Sequence, residues 1–379
     1  VQDAAETALT RGLANLEQNL PELARPDPAA SLQGAVAVMK PQTGAILAMV
    51  GGRDYRFSQY NRISQARRQA GSTFKIFTYL AGLDRFSPVA PLANVAKTYL
   101  VDGKPWEPRN YGGEEAPVVS LQEGLARSIN RATVDLAMTV GLEAVVRTAR
   151  DFGFSTDIQP FPSLALGAVE VYPLELARAY CALAASGVEP YPLSLREVND
   201  DQGRLLEQRH VQVHEATTPA KAFLITSMLQ SAVTHGTARG LLNRGVSIPV
   251  AGKTGTTNDF RDAWFIGYTP DILILVWVGF DNGDTLHLAG SQAALPICAD
   301  ILRNIPHQLS GADFSPPQGA VQAPVCQRDG FPELDGGCDN VADMWFLADN
   351  VPEDAPPLAN ARAPWYRWFK NLREKRDAP

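Results

Sequence analysis

The sequence predicts an α+β domain in which strands from both ends of the chain share one antiparallel sheet around a mostly helical middle. Three observations predict it. Two apolar runs near the N-terminus flank a Pro/Gly turn, and three strand-like runs with short turns follow one another between residues 248 and 280. The stretch from 71 to 239 carries helical periodicity instead.

Residues 2–24 set Leu9, Leu13, Leu16, Leu20 and Leu23 in a helical rhythm, and Arg25-Pro26-Asp27-Pro28 is expected to end that helix. The runs 35–39 and 45–50, around Lys40-Pro41-Gln42-Thr43-Gly44, read as a buried β-hairpin. Ser120-Leu121-Gln122-Glu123 forms a capping box for a helix ending near Arg127, and a second helix follows Asn130. Further helices fit 143–152, 173–185 (Pro in the first turn) and 219–233. The runs 248–257, 263–268 and 272–280 then form an antiparallel meander. Beyond Asn304 the chain is rich in Pro, Gly and Asp and ends in Trp365-Tyr366-Arg367-Trp368-Phe369-Lys370, read as a lightly packed tail, with a membrane-surface contact as the alternative. The expected organisation is an N-terminal helix and linker over 1–33, one principal domain over 34–304 and an extension with its tail over 305–379.

Composition narrows the function. With 45% apolar and 20% charged residues in 379, the chain reads as soluble and globular. A formal net charge of -7 without a basic run argues against a nucleic-acid partner. No stretch reaches the roughly 18 apolar residues of a membrane span, and the start at Val1, without Met or a signal-peptide pattern, reads as a fragment or processed product. Cys181 and Cys298 lie in apolar surroundings and read as buried thiols. Cys326 and Cys338 flank a Gly- and Asp-rich loop, which fits a local disulfide, with free thiols as the alternative. His210 and His214 are read as surface residues, since no acidic cluster completes a metal site with them. No metal and no cofactor is expected.

Three short motifs carry the chemistry: Ser72-Thr73-Phe74-Lys75, Ser128-Ile129-Asn130 and Lys253-Thr254-Gly255-Thr256-Thr257. Ser72 and Lys75 stand three apart at the start of a helical pattern and so share a face. A serine hydroxyl needs a base to become nucleophilic, and a lysine in a dry site can be that base. The alternative for this pair is an N-cap serine with a snorkelling lysine. Ser128 and Asn130 lie between two helices, where a hydroxyl can relay a proton and an amide can grip a peptide; an ordinary turn is the alternative. In the third motif, glycines interrupt a strand-like run, which is costly unless something must approach closely. A phosphate-binding loop would need glycine where Ser247 stands and a following helix where Asp262-Ala263-Trp264-Phe265-Ile266-Gly267 reads as a strand.

These motifs, with Ala48-Met49-Val50-Gly51-Gly52, Asn61-Arg62, Arg68-Gln69-Ala70-Gly71-Ser72, Ala165-Leu166-Gly167 and Asp262-Ala263-Trp264-Phe265-Ile266-Gly267-Tyr268, resemble the penicillin-binding transpeptidases, specifically the class A enzymes of bacterial cell-wall synthesis. The resemblance covers about residues 35 to 304 and implies a β-lactamase/transpeptidase-like fold. It implies Ser72 as the acylated nucleophile, Lys75 as its base and Ser128 as a proton relay. Asn130 would hold the donor peptide, and Lys253 and Thr254 would bind its terminal carboxylate. Gly255 and Thr256 would line the same strand, with the N–H groups of Thr256 and Ser72 facing the oxyanion.

The implied activity is D,D-transpeptidation. Ser72 displaces the terminal D-alanine of a peptidoglycan stem peptide, and an amine of a neighbouring stem then takes the acyl group. β-Lactams would acylate the same serine. A D,D-carboxypeptidase and a non-catalytic β-lactam-sensing module are the alternatives. The implied setting is the bacterial cell envelope, periplasmic or at the extracytoplasmic face of the inner membrane, with an anchor in the parent protein and other cell-wall synthesis proteins as partners.

Two departures qualify the resemblance. Ile129 stands where the family signature has Asp, and no Glu-x-x-Leu-Asn segment like that of class A β-lactamases is present, so Glu170 and Glu175 read as structural. The glycosyltransferase domain of class A members is not in this sequence, so glycan polymerisation is not implied.

Overall fold

The computed structural model describes residues 1–101, 103–112, 116–326 and 341–351. Its centre is a five-stranded antiparallel sheet of β1 (Gln33–Met39), β2 (Ile46–Val50), β3 (Ala251–Thr256), β4 (Asp262–Tyr268) and β5 (Leu273–Gly279), ordered β3-β4-β5-β1-β2. The two ends of the chain do share this sheet: Gln33 lies opposite Gly279 and Met39 opposite Leu273. All seven residues of β1, β4 and β5 are buried. Their alternate side chains serve two cores. Ala35, Ala37, Trp264, Ile266, Leu275 and Trp277 face one, and Val36, Val38, Phe265, Ile274, Val276 and Val278 face the other. Coverage on both faces explains why these strands read as continuous apolar runs.

Eight α-helices of at least six residues are described: α1 (Gln2–Asn19), α2 (Lys75–Gly82), α3 (Leu121–Ala126), α4 (Asn130–Val140), α5 (Leu142–Asp151), α6 (Pro173–Ala184), α7 (Pro219–Thr234) and α8 (Leu295–Asn304). α1 and α8 cover one face of the sheet, through Leu9, Leu13, Leu295, Ile297 and Ile301. The other face packs against the helical half, α2 to α7. None of the described helices is long and apolar enough to cross a membrane.

Element boundaries depart from the sequence reading in physically instructive ways. α1 stops at Asn19 because Leu20, ahead of Pro21, leaves the helical conformation (φ -134°, ψ 82°), so Pro21 ends the helix rather than the run at 25–28. The strand expected from 248 begins at Ala251, after a 3-10 turn over Arg239–Arg244. Ser120 Oγ does accept from Glu123 N–H (3.1 Å), but the Glu123 carboxylate accepts from Arg127 (3.3 Å). Cys181 and Cys298 are fully buried, and burial pushes both thiols up. Cys338, and with it the expected pairing with Cys326, lies outside the described residues, as does the aromatic and basic end of the chain.

One polar cluster departs from the sequence reading, since His214 is only part-exposed. Val188–Pro190 pairs with Val213–Glu215, and alternation turns His214 inward while its strand neighbours stay exposed. His214 Nε2 lies 3.1 Å from Glu189 Oε2, and Arg178 Nη2 lies 3.2 Å from Oε1 of the same fully buried carboxylate. His210 is exposed, as expected.

Burial pushes the Glu189 carboxyl up to about 7, with Arg178 opposing and Glu175 reinforcing. The folded chain therefore binds a proton there more tightly than the unfolded chain, and stability falls as pH rises from about 4.5 to about 7. Thermal unfolding across that window should show this decline in the native protein and a flatter profile in Glu189→Gln. Parallel profiles in both proteins would remove Glu189 as the cause.

Candidate active site

Ser72 does not sit within an α-helix. Gly71–Phe74 forms a 3-10 turn that feeds α2, whose first residue is Lys75. A 3-10 turn eclipses residues three apart, so Ser72 and Lys75 still share a face. The turn is held from four sides. Ala70 N–H donates to Val169 O (3.0 Å) and Gly71 N–H to Gly167 O (3.1 Å). Trp264 Nε1–H donates to Gln69 O (3.0 Å), and the Tyr180 hydroxyl donates to Thr73 O (2.8 Å).

Glycine is required where this turn meets its neighbours. Gly71 has φ +53°, and a Cβ there would stand 2.7 Å from Thr256 O. A Cβ on Gly167, at φ +76°, would stand 1.9 Å from Gly71 O. On β3, a Cβ at Gly255 would stand 2.7 Å from Thr73 Cγ2. The Ser72 turn thereby nests against the end of β3, an edge strand whose outer side pairs with no other strand among the described residues.

The structure brings the other predicted residues to this seam. Ser128 lies in the turn between α3 and α4 with φ +58°, a left-handed conformation that costs a serine about 1–2 kcal/mol. That turn delivers its hydroxyl between two fully buried lysines. Lys75 Nζ donates to Ser128 O (2.6 Å), Asn130 Oδ1 (2.6 Å) and Ser128 Oγ (3.2 Å). Lys253 Nζ donates to Ser128 Oγ (2.9 Å) and Thr254 O (2.8 Å). With both lone pairs of Ser128 Oγ engaged, its own proton is free to point elsewhere. Burial brings the Lys253 amine down to about 7.

Asn130 opens α4 and also donates from Nδ2 to Arg109 O (2.6 Å), which leaves one amide N–H for another partner. Thr254 Oγ1 donates to the Thr237 hydroxyl (2.9 Å), and Thr256 Oγ1 accepts from Gly290 N–H (3.1 Å). Thr237, just past α7, is a member of the constellation that the motifs did not flag. Nothing local distinguishes it, because its partner lies on a strand 17 residues later.

A second group, joining Arg62, Arg68 and Asp262 of the resembling segments to Asp281 and Trp277, stiffens the seam. The Arg62 side chain, 1% exposed, donates from Nε to Asp281 Oδ1 (2.8 Å), and Arg68 Nη2 donates to the same oxygen (3.0 Å). Arg68 also lies over the Trp277 ring, 4.7 Å from its centroid, while Trp277 Nε1–H donates to Asp262 Oδ1 (2.8 Å). Burial pushes the Asp262 carboxyl up. These ties join the segment leading into Ser72 to the turn after β5. Among the described residues, no group of three His, Cys, Asp or Glu side chains could hold a metal.

A sheet edge, a serine turn and two lysines meeting on a second serine define a class of serine acyl-transfer site. Residues 34–303 match the family model of the penicillin-binding protein transpeptidase domain, and the chain belongs to that family. Penicillin-binding protein 1A of Aquifex aeolicus is 39% identical over 298 residues, which cover 76% of this chain and 40% of that protein. The chain thus spans about two fifths of that relative's length. The crystal structure of penicillin-binding protein 1A from Haemophilus influenzae superposes with a TM-score of 0.81 at 25% identity, covering 86% of this chain and 55% of that one. The PonA1 protein from Mycobacterium tuberculosis, solved in complex with penicillin V, shares the fold with a TM-score of 0.69 at 24% identity, covering 84% of this chain and 86% of that one.

Two alanine substitutions separate backbone strain from contact at the seam. Gly245, at φ +79° with nothing near its Cβ position, should lose only about 1–2 kcal/mol as Gly245→Ala. Gly71→Ala should lose clearly more in chemical denaturation, because Thr256 O blocks the new methyl. Equal losses would mean that the seam opens without cost.

Proposed function

We propose that this chain is a D,D-transpeptidase that cross-links peptidoglycan stem peptides through an acyl-enzyme on Ser72 and is inhibited by β-lactams at the same residue. The observation that carries this reading is the Ser128 hydroxyl between Lys75 and Lys253, beside the Ser72 turn and the free edge of β3. We take residues 34–304 as the catalytic domain, with 1–33 and 305–379 as flanking segments.

The donor peptide lies along β3, and Gly255 lets the Ser72 turn nest against that strand beside it. Protonated Lys253, with the Thr254 and Thr237 hydroxyls, attracts its terminal carboxylate. The remaining N–H of Asn130 binds a carbonyl of the donor. Lys75 in its neutral form retains N–H donors for Ser128 O and Asn130 Oδ1 and uses its lone pair to take the Ser72 proton. Ser72 Oγ then bonds to the carbonyl carbon of the penultimate D-alanine, and the N–H groups of Ser72 and Thr256 hold the oxyanion. Ser128 passes a proton to the departing nitrogen as the peptide bond breaks, releasing D-alanine. In the second half, an amine from a neighbouring stem attacks the ester, loses a proton along the same relay and returns Ser72 to its hydroxyl form. The reaction belongs in the bacterial cell envelope, on the extracytoplasmic side of the inner membrane, among other cell-wall synthesis proteins.

Intact-mass spectrometry after incubation with benzylpenicillin should give a stable adduct on the native chain and none on Ser72→Ala. A thioester donor with an added D-amino acid should then yield mainly the aminolysis product. Hydrolysis alone would make the chain a carboxypeptidase, and an adduct without any thioester turnover would make it a sensor.

Lys253 also sets a pH dependence. Its protonated form dominates below about 7 and is lost above it, so capture of a carboxylate weakens in the same direction. The second-order acylation constant for benzylpenicillin should therefore show an alkaline limb centred near pH 7, falling by about tenfold per unit well beyond it. Benzylpenicillin methyl ester, which has no carboxylate, should lack that limb. A shared limb would assign it to another group.

A further inference from the structure

We infer that the loop after β2, residues 51–62, is a docking surface for the sugar chain of peptidoglycan, with Tyr55, Phe57 and Tyr60 as its stacking faces. This rests on the function proposed above, in which a stem peptide reaches Ser72 attached to a sugar chain that needs a seat of its own. Three observations carry it.

The first is exposure on a fixed backbone. Tyr55, Phe57 and Tyr60 are 72%, 58% and 43% exposed, three large rings within six residues. The chain that presents them is tied down. Asp54 O accepts from Phe57 N–H (3.2 Å) and Ser58 N–H (3.1 Å). The buried Arg62 side chain donates to Gly51 O, Tyr60 O and Ser58 Oγ, each at 3.1 Å, while it also holds Asp281. Rings already held in place lose little further freedom when a ligand covers them.

The second is charge. The loop has four charged side chains, and all are paired within the molecule. Arg53 Nη2 donates to Glu17 Oε2 (2.7 Å), Arg56 Nη2 to Asp54 Oδ2 (2.6 Å) and Arg62 Nε to Asp281 Oδ1 (2.8 Å). What remains exposed is the three rings and the Gln59 amide. A lipid surface recognises unpaired cations beside apolar side chains, and an acidic peptide recognises an uncommitted guanidinium. An uncharged sugar needs aromatic faces to pack against its C–H bonds and an amide for its hydroxyls.

The third is position. Thr256 lies opposite Ala263, Asp262 opposite Gly279, Gly279 opposite Gln33, and Arg53 N–H donates to Gln33 Oε1 (3.1 Å). The loop therefore emerges at the end of the sheet to which Thr256 leads. Lys253 and Thr254, which bind the donor's carboxylate, precede Thr256, so the acyl part of the donor leaves the cleft toward that same end. β2 and β3 are the two edges of the sheet, about 19 Å apart at ordinary strand spacing. An extended stem of about four residues covers about 13 Å of this, and the sugars beside its attachment cover the rest.

The probe is the β-1,4-linked hexamer of N-acetylglucosamine, an uncharged sugar chain without peptide, titrated calorimetrically into the native chain. Its affinity should fall by at least about tenfold in Tyr55→Ala/Phe57→Ala and stay within about twofold in Tyr55→Phe, which keeps the ring. Tyr55→Ala alone, with about a threefold loss, serves if the double variant does not fold. Acylation by benzylpenicillin, followed by intact mass, should be equal in native and variant chains, because the drug carries no sugar. No binding by the native chain, or equal binding by the folded alanine variants, would overturn the docking surface. Native binding to phosphatidylglycerol vesicles, lost in those variants while sugar binding is unchanged, would reassign the rings to a lipid surface. A native chain that benzylpenicillin does not acylate would defeat the proposed function, and the sugar titration would still decide the loop.

Discussion

Burying two lysines around one hydroxyl is the constraint on which this structure turns. An ammonium taken out of water loses several kcal/mol of solvation unless acceptors replace the water. Here the acceptors are backbone carbonyls, an amide and a serine, supplied by different parts of the fold. Lys75 comes from α2, Ser128 and Asn130 from the α3–α4 connection, and Lys253 from the edge of the sheet. None of these elements can satisfy the lysines alone, so the helical half and the sheet must close on each other for the charges to be housed. The left-handed backbone at Ser128 follows from the same demand: the hydroxyl and the carbonyl of one residue must both meet Lys75.

The closure is kept narrow by atoms that are absent. Gly71 and Gly167 allow backbone to approach backbone, and Gly255 allows it to approach the Thr73 and Trp264 side chains, at distances that a Cβ would forbid. Around that seam, the Arg62–Asp281–Arg68 ties and the Trp264 and Tyr180 hydrogen bonds limit how far the Ser72 turn can drift from β3. Precise placement of a nucleophile against an oxyanion site demands such second contacts, because an error of 1 Å is expensive in rate.

Much of this was legible in the chain. Apolar runs marked the strands because both faces of the sheet are covered, and the three motifs marked Ser72, Lys75, Ser128, Asn130 and Lys253 through their order along the chain and their resemblance to the penicillin-binding transpeptidases, since each alone also fits an ordinary cap or turn. What remained hidden is relational. Arg62 meets Asp281 across 219 positions, and Thr237 looks like any threonine until Thr254 is placed beside it. His214 looked like a surface residue because its buried partner, Glu189, lies on a different strand and carries no motif. The helix expected at Ser72 proved a tighter turn, since periodicity alone does not separate a 3-10 start from an α-helical one. Residues 327–340 and the end of the chain, where the cysteine pair and the aromatic tail were read, lie outside the described residues.

The pairing of β1 with β5 carries a consequence for how the molecule comes into being. Gln33 waits for Gly279, so β1 finds its central neighbour only after some 250 further residues have left the ribosome. Closing so long a loop is entropically costly and places the domain among slow, non-locally wired folds. Lys75 likewise can gather its partners from the α3–α4 turn early, but Lys253 arrives with the last third of the chain. Ser72, Ser128 and the edge of β3 therefore come together in a single late event, and chains truncated before β5 would carry the serine without the closed seam around it.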